Sequence, residues 1–127
     1  MLFADTSYLI ALFRANDEMH LRAVEIEAEI DERVATTDAV LSEFITYASA
    51  KDGNKAAYGI GVKLLRSNLE IIHAGADDFA LALENIRKFP KISMCDAISA
   101  TVMKRMGMKK ILSFDSDFDR LDFVRIH

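Results

Sequence analysis

Met1-Leu-Phe-Ala-Asp5-Thr-Ser7-Tyr-Leu-Ile-Ala-Leu-Phe13 packs two apolar runs around one acid and two hydroxyl residues. The first run, Met1 to Ala4, is short and stops at Asp5, which reads as a strand. Thr6 and Ser7 are residue types that cap helix N-termini, so Tyr8 to Arg14 reads as a helix. A strand that gives way at once to a helix is the repeating step of an α/β chain.

The same step recurs further along. His20 to Glu32 reads as a second helix, with Leu21, Val24, Ala28 and Ile30 turned mostly inward and the acids outward. Val34 to Thr37 is a strand candidate, and Asp38 is placed to cap a helix carrying Val40, Leu41, Phe44, Ile45 and Ala48. Gly53-Asn54 breaks that helix, and Lys55 to Arg66 forms another. Leu69 to His73 reads as a strand and Ala76 to Lys88 as a helix ending before Pro90, the single proline. Ser93 and Asp96 make a Ser-x-x-Asp capping signature for a helix over Cys95 to Met106, which Gly107 terminates. Lys110 to Ser113 and Phe123 to Ile126 are the last strand candidates. About five strands joined mostly by helices predict a single α/β domain over residues 1–127, with a mainly parallel sheet flanked by helices.

Composition agrees with one globular domain. The chain has 127 residues, of which 51% are hydrophobic and 28% charged. There is no Ser/Gly-rich linker, low-complexity tract or internal repeat. The one cysteine, Cys95, cannot form an internal disulfide, which suits a reducing compartment and a cytoplasmic location. Tyr8 to Phe13 is too short to span a membrane and lacks the basic flank of a signal peptide. The net charge of −4, from 16 Lys and Arg against 20 Asp and Glu, argues at first against a nucleic-acid partner.

In parallel sheets, active sites lie at the carboxyl ends of the strands. That rule filters the acids. Asp5 ends the first strand, and Glu43 lies on the helix after the second. Asp96 lies in the first turn of the helix opening at Ser93. Asp115 and Asp117 follow the strand ending at Ser113. These acids come from four separate stretches that the topology brings to one sheet edge. Crowded carboxylates raise one another's pKa unless a cation lies among them, and Mg²⁺ and Mn²⁺ favour such hard oxygen ligands. Each acid also has a structural reading: Asp5 and Asp96 as helix caps, Glu43 as a solvated helix residue, and Asp115, Asp117 and Asp119 as a polar turn. Their joint placement is what favours a divalent-metal site.

Other chemistry is missing. Gly59-Ile60-Gly61 lacks the third glycine of a dinucleotide loop and follows no strand. His20, His73 and His127 show no metal-ligand spacing. Cys95 reads as a small buried residue, and Met94, Met103, Met106 and Met108 as core.

Phe3-Ala-Asp5-Thr-Ser7, Leu41-Ser-Glu43-Phe44, Ser93-Met-Cys-Asp96-Ala97 with Ala100, and Leu112-Ser-Phe-Asp115-Ser-Asp117-Phe118 together carry a resemblance over the whole chain. The sequence resembles the PIN-domain nucleases, and most closely the VapC-type toxins of toxin–antitoxin pairs. The stretch Asp17-Glu-Met-His20 also looks like that subgroup. The resemblance implies a ribonuclease dependent on one or two Mg²⁺ or Mn²⁺ ions, leaving 5′-phosphate and 3′-hydroxyl ends. It implies that Asp5, Glu43, Asp96 and Asp115 are the catalytic, metal-centred acids, with Asp117 a fifth and Thr6 and Ser113 orienting them. It further implies a homodimer and a small antitoxin partner laid across the acidic site.

Charge is unevenly spread. Asp17 to Glu32 holds seven acids and one base, whereas Lys51, Lys55, Lys63 and Arg66 face only Asp52 and are candidate RNA contacts. Lys104, Arg105, Lys109 and Lys110, and Arg87, Lys88 and Lys91, form further basic groups. Tyr47, Tyr58 and Ile60 are candidate interface residues, with core as the simpler reading. Two alternatives remain: a housekeeping PIN nuclease in RNA processing, and a non-catalytic RNA-binding module. A haloacid-dehalogenase-type phosphatase would want Asp-x-Asp at the first strand, which Asp5-Thr-Ser7 lacks.

Overall fold

The computed structural model describes all residues, 1–127. In chain order the elements are β1 (Leu2–Ala4), α1 (Thr6–Phe13), α2 (His20–Glu29), β2 (Val34–Thr37), α3 (Asp38–Asp52) and α4 (Asn54–Arg66), then β3 (Glu70–Ile72), α5 (Ala76–Lys88), α6 (Met94–Arg105), β4 (Lys110–Leu112), a 3₁₀ turn (Ser116–Arg120) and β5 (Val124–Ile126).

The five strands form one sheet in the order β3-β2-β1-β4-β5, and every pairing is parallel. β1 is central because its residues are apolar on both faces: Leu2, Phe3 and Ala4 are all buried. Ala4 lies opposite Leu112 of β4, and Phe3 opposite Ala35 of β2. The chain builds outward from β1 to β2 and β3, then returns to its other side for β4 and β5. The strand order therefore reverses between β1 and β4, and such switch points open a crevice at the carboxyl ends of the strands. Asp5 and Ser113, the residues following β1 and β4, stand at that crevice.

Phe3, Tyr8, Leu9, Phe44, Leu64, Met103 and Phe118 fill the main core, and Ala74, Ala82, Ala97, Ile98 and Val102 fill a smaller one under α5 and α6. Truncating a fully buried ring such as Phe44 to Ala should cost about 3–5 kcal/mol. α3 and α4 approach closely at Gly61, where an added Cβ would lie 2.8 Å from Ile45 Cδ1. Gly61 therefore serves helix packing, and both glycines lie inside α4 rather than in a phosphate loop. Gly107, at φ +71°, takes the left-handed conformation that ends α6, as the sequence predicts.

Several local expectations need correction. α1 begins at Thr6 and is capped by Asp5, whose side chain accepts from the Ser7 backbone N–H, so neither Thr6 nor Ser7 is the cap. α3 is capped by Thr37, whose hydroxyl accepts from Val40 N; Asp38 is the first helical residue and instead accepts from Ala39 N and Ala74 N. In α2 the inward residues are Ala23 and Ile26, and Leu21 is 78% exposed. Val24 and Ala28 are exposed as well. Met19, Ala23, Ile26 and Ile30 form the packed stripe, so the period was right and the phase was wrong. Gly53 alone separates α3 from α4, with Asn54 already helical. Met106 is exposed rather than core. No helix is long and apolar enough to cross a membrane.

Candidate active site

Asp5 is held from one side only. Its Oδ2 accepts hydrogen bonds from Ser7 Oγ at 2.7 Å, from Ser113 Oγ at 2.9 Å and from Ser7 N at 3.3 Å. Its Oδ1 is buried and has no partner in the chain. The two hydroxyls lie 3.1 Å apart and also take up backbone donors: Phe114 N donates to Ser7 Oγ, and Asp115 N to Ser113 Oγ. One serine pair thus fixes Asp5 and the start of the Asp115 loop together across the β1–β4 crevice. Burial raises the Asp5 carboxyl above its ordinary range, and the hydrogen bonds from Ser7 and Ser113 only partly oppose that.

Asp96 comes in from α6. Ser93 caps this helix by accepting from Asp96 N at 3.1 Å, which sets the aspartate in the first turn. Its carboxyl is pushed up to about 7, first by burial and then by the charges of Asp5 and Asp115, with Glu43 adding less. Those causes report proximity: acids from β1, α3, α6 and the loop after β4 share one neighbourhood. Glu43 is solvent-exposed on α3, yet it lies against the Cys95 thiol, whose pKa is raised by burial first and then by the Glu43 charge. Cys95 is half-buried beside the acids rather than lost in the core.

Asp115 caps the 3₁₀ turn, its Oδ1 accepting from Asp117 N at 2.9 Å. Asp117 itself lines a cleft with Pro90, Ile92 and Leu121. Asp119 is ion-paired to Arg125 and takes no part in the acidic cluster. Arg125 also donates to the Ser113 carbonyl at 3.3 Å and feels the Asp115 charge, but its guanidinium is committed to Asp119. None of Asp5, Glu43, Asp96 or Asp115 forms an ion pair within the chain.

Whether these residues suit a divalent cation is tested by two features. The unpartnered Asp5 Oδ1 is an oxygen donor with nothing to bind, and burial makes that costly. The Asp96 carboxyl pays a mutual-repulsion penalty that a cation would relieve. No three acid, histidine or cysteine side chains close into a ready-made cage. An ion that keeps several of its waters, as Mg²⁺ does, fits that open arrangement.

Ser7 is the residue whose role the sequence reading missed. Its place three residues after a strand end suggested a cap, whereas it bonds Asp5 Oδ2 and the Phe114 amide. Only the parallel pairing of β1 with β4 makes that contact readable. The Thr6 hydroxyl is buried without a partner, so it is the Thr6 backbone rather than its side chain that bears on Asp5. Lys51, Lys55, Lys63 and Arg66 are all exposed on α3 and α4 and are free of ion pairs; Lys51 and Arg14 lie over the Tyr47 ring. Tyr58 is 75% exposed, so core does not account for it. His20 bonds the Ala11 carbonyl and His73 pairs with Asp38, structural roles in both cases.

The PIN domain family model matches residues 2–124. The 23S rRNA-specific endonuclease VapC20 of Mycobacterium tuberculosis is 31% identical over 128 residues, covering 99% of this chain and 98% of that protein. The crystal structure of VapC20, described as a sarcin-ricin loop cleaving toxin, superposes with a TM-score of 0.93 at 30% identity, covering 99% and 98% of the two chains. VapBC2 from Rickettsia felis, bound to a DNA fragment from its promoter, shares the fold with a TM-score of 0.71 at 16% identity, covering 99% and 98%. The chain belongs to the PIN-domain family, in its VapC-type branch.

Proposed function

We propose that this chain is a divalent-metal-dependent endoribonuclease, the toxin of a VapBC-type toxin–antitoxin pair, with Asp5, Glu43, Asp96 and Asp115 as its metal-centred catalytic acids. The observation that carries this reading is the half-satisfied Asp5: three hydrogen bonds on Oδ2 and a buried, bare Oδ1 beside an Asp96 carboxyl lifted to about 7. Whole-length similarity to VapC20, a 23S rRNA-specific endonuclease, supports RNA as the substrate.

In this reading Asp5, Glu43, Asp96 and Asp115 would hold the ion, with Asp117 beside Asp115 as a fifth acid. Bound Mg²⁺ or Mn²⁺, as one or two ions, would polarise a phosphate oxygen, acidify water and offset charge on the departing oxygen. Ser7 and Ser113 hold Asp5 Oδ2, which leaves Oδ1 without a partner in the chain. Asp96 must lose its proton before it can bind, and burial with its acidic neighbours favours that proton, so Mg²⁺ affinity should rise with pH. The chain needs no side-chain nucleophile: Cys95, the one thiol nearby, is held protonated by burial and by Glu43. Lys51, Lys55, Lys63 and Arg66 are proposed RNA contacts, and a homodimer and a small antitoxin protein are the proposed partners.

The test is expression with and without the adjacent small open reading frame, followed by RNA cleavage. Cleavage should require Mg²⁺ or Mn²⁺, stop in EDTA and leave 5′-phosphate ends. Asp96→Asn should lose at least about 10²–10³ of the rate with its circular dichroism unchanged. Full activity in that variant, or cyclic-phosphate ends, would refute the site.

A further inference from the structure

Beside the acidic cluster lies a cleft of about 180 Å³, walled by Phe89, Pro90 and Ile92 on one side and by Asp117, Arg120 and Leu121 on the other. Both walls run straight into the acids. Ile92 immediately precedes Ser93, the cap of the helix that bears Asp96, and Asp117 donates its backbone N–H to Asp115 Oδ1. The cleft is mostly apolar, and Phe89 remains 39% exposed at its mouth. For scale, an enclosed apolar cavity of about 150 Å³ admits a benzene ring.

The charge at its rim is distinctive. Of the eight arginines, six are ion-paired to a carboxylate: Arg14, Arg22, Arg33, Arg87, Arg105 and Arg125. Arg120 is one of the two that are not, and Lys91, also on the cleft, is unpaired too. Two free cations therefore border an apolar slot next to a cluster of uncompensated acids. That juxtaposition suits one kind of ligand: a flat ring carried on a phosphate chain that continues into the acidic site.

We infer that this cleft is a nucleobase subsite, holding a base of the RNA next to the scissile phosphate, with Phe89 as the stacking face and Arg120 and Lys91 on its phosphate. The inference rests on the ribonuclease reading and extends it to substrate selection. Stacking on an aromatic face tolerates any base, so it supplies affinity. Selectivity falls to Asp117, whose carboxylate accepts from an exocyclic amino group; adenine, cytosine and guanine carry one and uracil does not.

The chain has no tryptophan, so Phe89→Trp places a single indole in the cleft. Its emission should be quenched saturably by single-stranded RNA oligonucleotides of mixed sequence, in EDTA as well as in Mg²⁺. Phe89→Ala should raise KM by about 5- to 150-fold with kcat little changed. Arg120→Gln, a surface change that should not disturb folding, should raise KM and lower the salt slope of binding by about one. Asp117→Asn should alter the ratio of bases found next to the cut, a ratio read independently of the overall rate. The inference is overturned if quenching is absent, if Phe89→Ala and Arg120→Gln both leave KM unchanged, or if Asp117→Asn leaves the bases next to the cut unchanged. Quenching by the antitoxin partner but not by RNA would also overturn it, in favour of a peptide-binding slot. Because quenching is read in EDTA, it stands or falls separately from the ribonuclease reading, which fails if Asp96→Asn still cuts.

Discussion

Asp78 and Asp96 sit on adjacent helices, α5 and α6, and are 4% and 8% exposed, yet their charges are treated in opposite ways. Asp78 accepts from Arg105 Nε and Nη2, each at 2.9 Å, and from Gly75 N at 3.1 Å. The Arg105 guanidinium holds its carboxyl below the ordinary range. Asp96 has no cation, and burial with Asp5 and Asp115 nearby raises it to about 7. A fold able to supply an arginine for one buried acid supplies none for the other. The lesson is that Asp78 is finished by the chain itself, whereas Asp96 awaits a positive charge from outside.

The largest expected consequence is a pH-dependent stability of the metal-free protein. An unfolded Asp96 titrates near its ordinary value, about 3.9, and the folded one near 7. Between those values the folded state holds the extra proton, so stability is full at low pH and is lost as pH rises through about 7. The loss should reach roughly 2–4 kcal/mol, and Asp5, also raised by burial, adds in the same direction. Urea denaturation of the EDTA-treated protein at pH 5 and pH 8 measures it. Saturating Mg²⁺ should restore stability at pH 8 by mass action. A metal-free protein equally stable at both pH values would break the contrast with Asp78.

Next in size is one substitution made twice. Asp78→Asn removes charge-assisted bonds to Arg105 and should destabilise by about 1–3 kcal/mol, with Mg²⁺ affinity unchanged. Asp96→Asn removes a repelled charge and should stabilise the metal-free protein at pH 8, with Mg²⁺ affinity lost. Melting temperatures with and without Mg²⁺ read both signs. If both variants lose stability in EDTA, the two acids are alike and the comparison fails.

The same contrast marks how far the sequence could be read. The alternation from Met1 to Phe13 and its recurrences were enough for five parallel strands with helices between, because hydrophobic period and strand-end punctuation are local. Asp5, Asp96 and Asp115 are legible as candidates because each follows a strand or opens a helix, and the switch point gathers such positions; Glu43, in the second turn of α3, is a candidate only through the strand that helix follows. The phase of α2 was not legible, since its Leu21 and Val24 are as apolar as Ala23 and Ile26, and only packing decides which pair faces in. The Asp78–Arg105 pair was also hidden: 27 residues separate the partners, and each looks like an ordinary charge at a helix end. Ser7 reads locally as a cap, whereas its contacts with Ser113 and the Phe114 amide require the β1–β4 pairing.

That serine pair gives a subtler way to sharpen the comparison. Asp78 loses its partner only if Arg105 is removed, but Asp5 depends on two neutral hydroxyls. Ser7→Ala and Ser113→Ala should each cost about 1 kcal/mol of stability and raise the Asp5 carboxyl further. Mg²⁺ affinity, by calorimetry, should fall on the order of tenfold, as for other groups that orient a ligand. Unchanged affinity in the double variant would mean that Asp5 orientation is set by the α1 cap alone.

The smallest effect belongs to the outer surface. Lys55 and Lys63 are exposed, unpaired and on one helix, so they can contribute to RNA binding only through long-range attraction or loose phosphate contact. Reversing both to Glu should weaken RNA binding and flatten its dependence on salt, while Mg²⁺ affinity and melting temperature stay within error. Exposed charges of this kind are screened within about 10 Å at 0.1 M salt, so the effect should fade as salt rises, unlike that of any change at Asp5 or Asp96. If the double reversal leaves both affinity and salt slope unchanged, RNA does not cross α4, and the approach to the acids runs elsewhere on the surface.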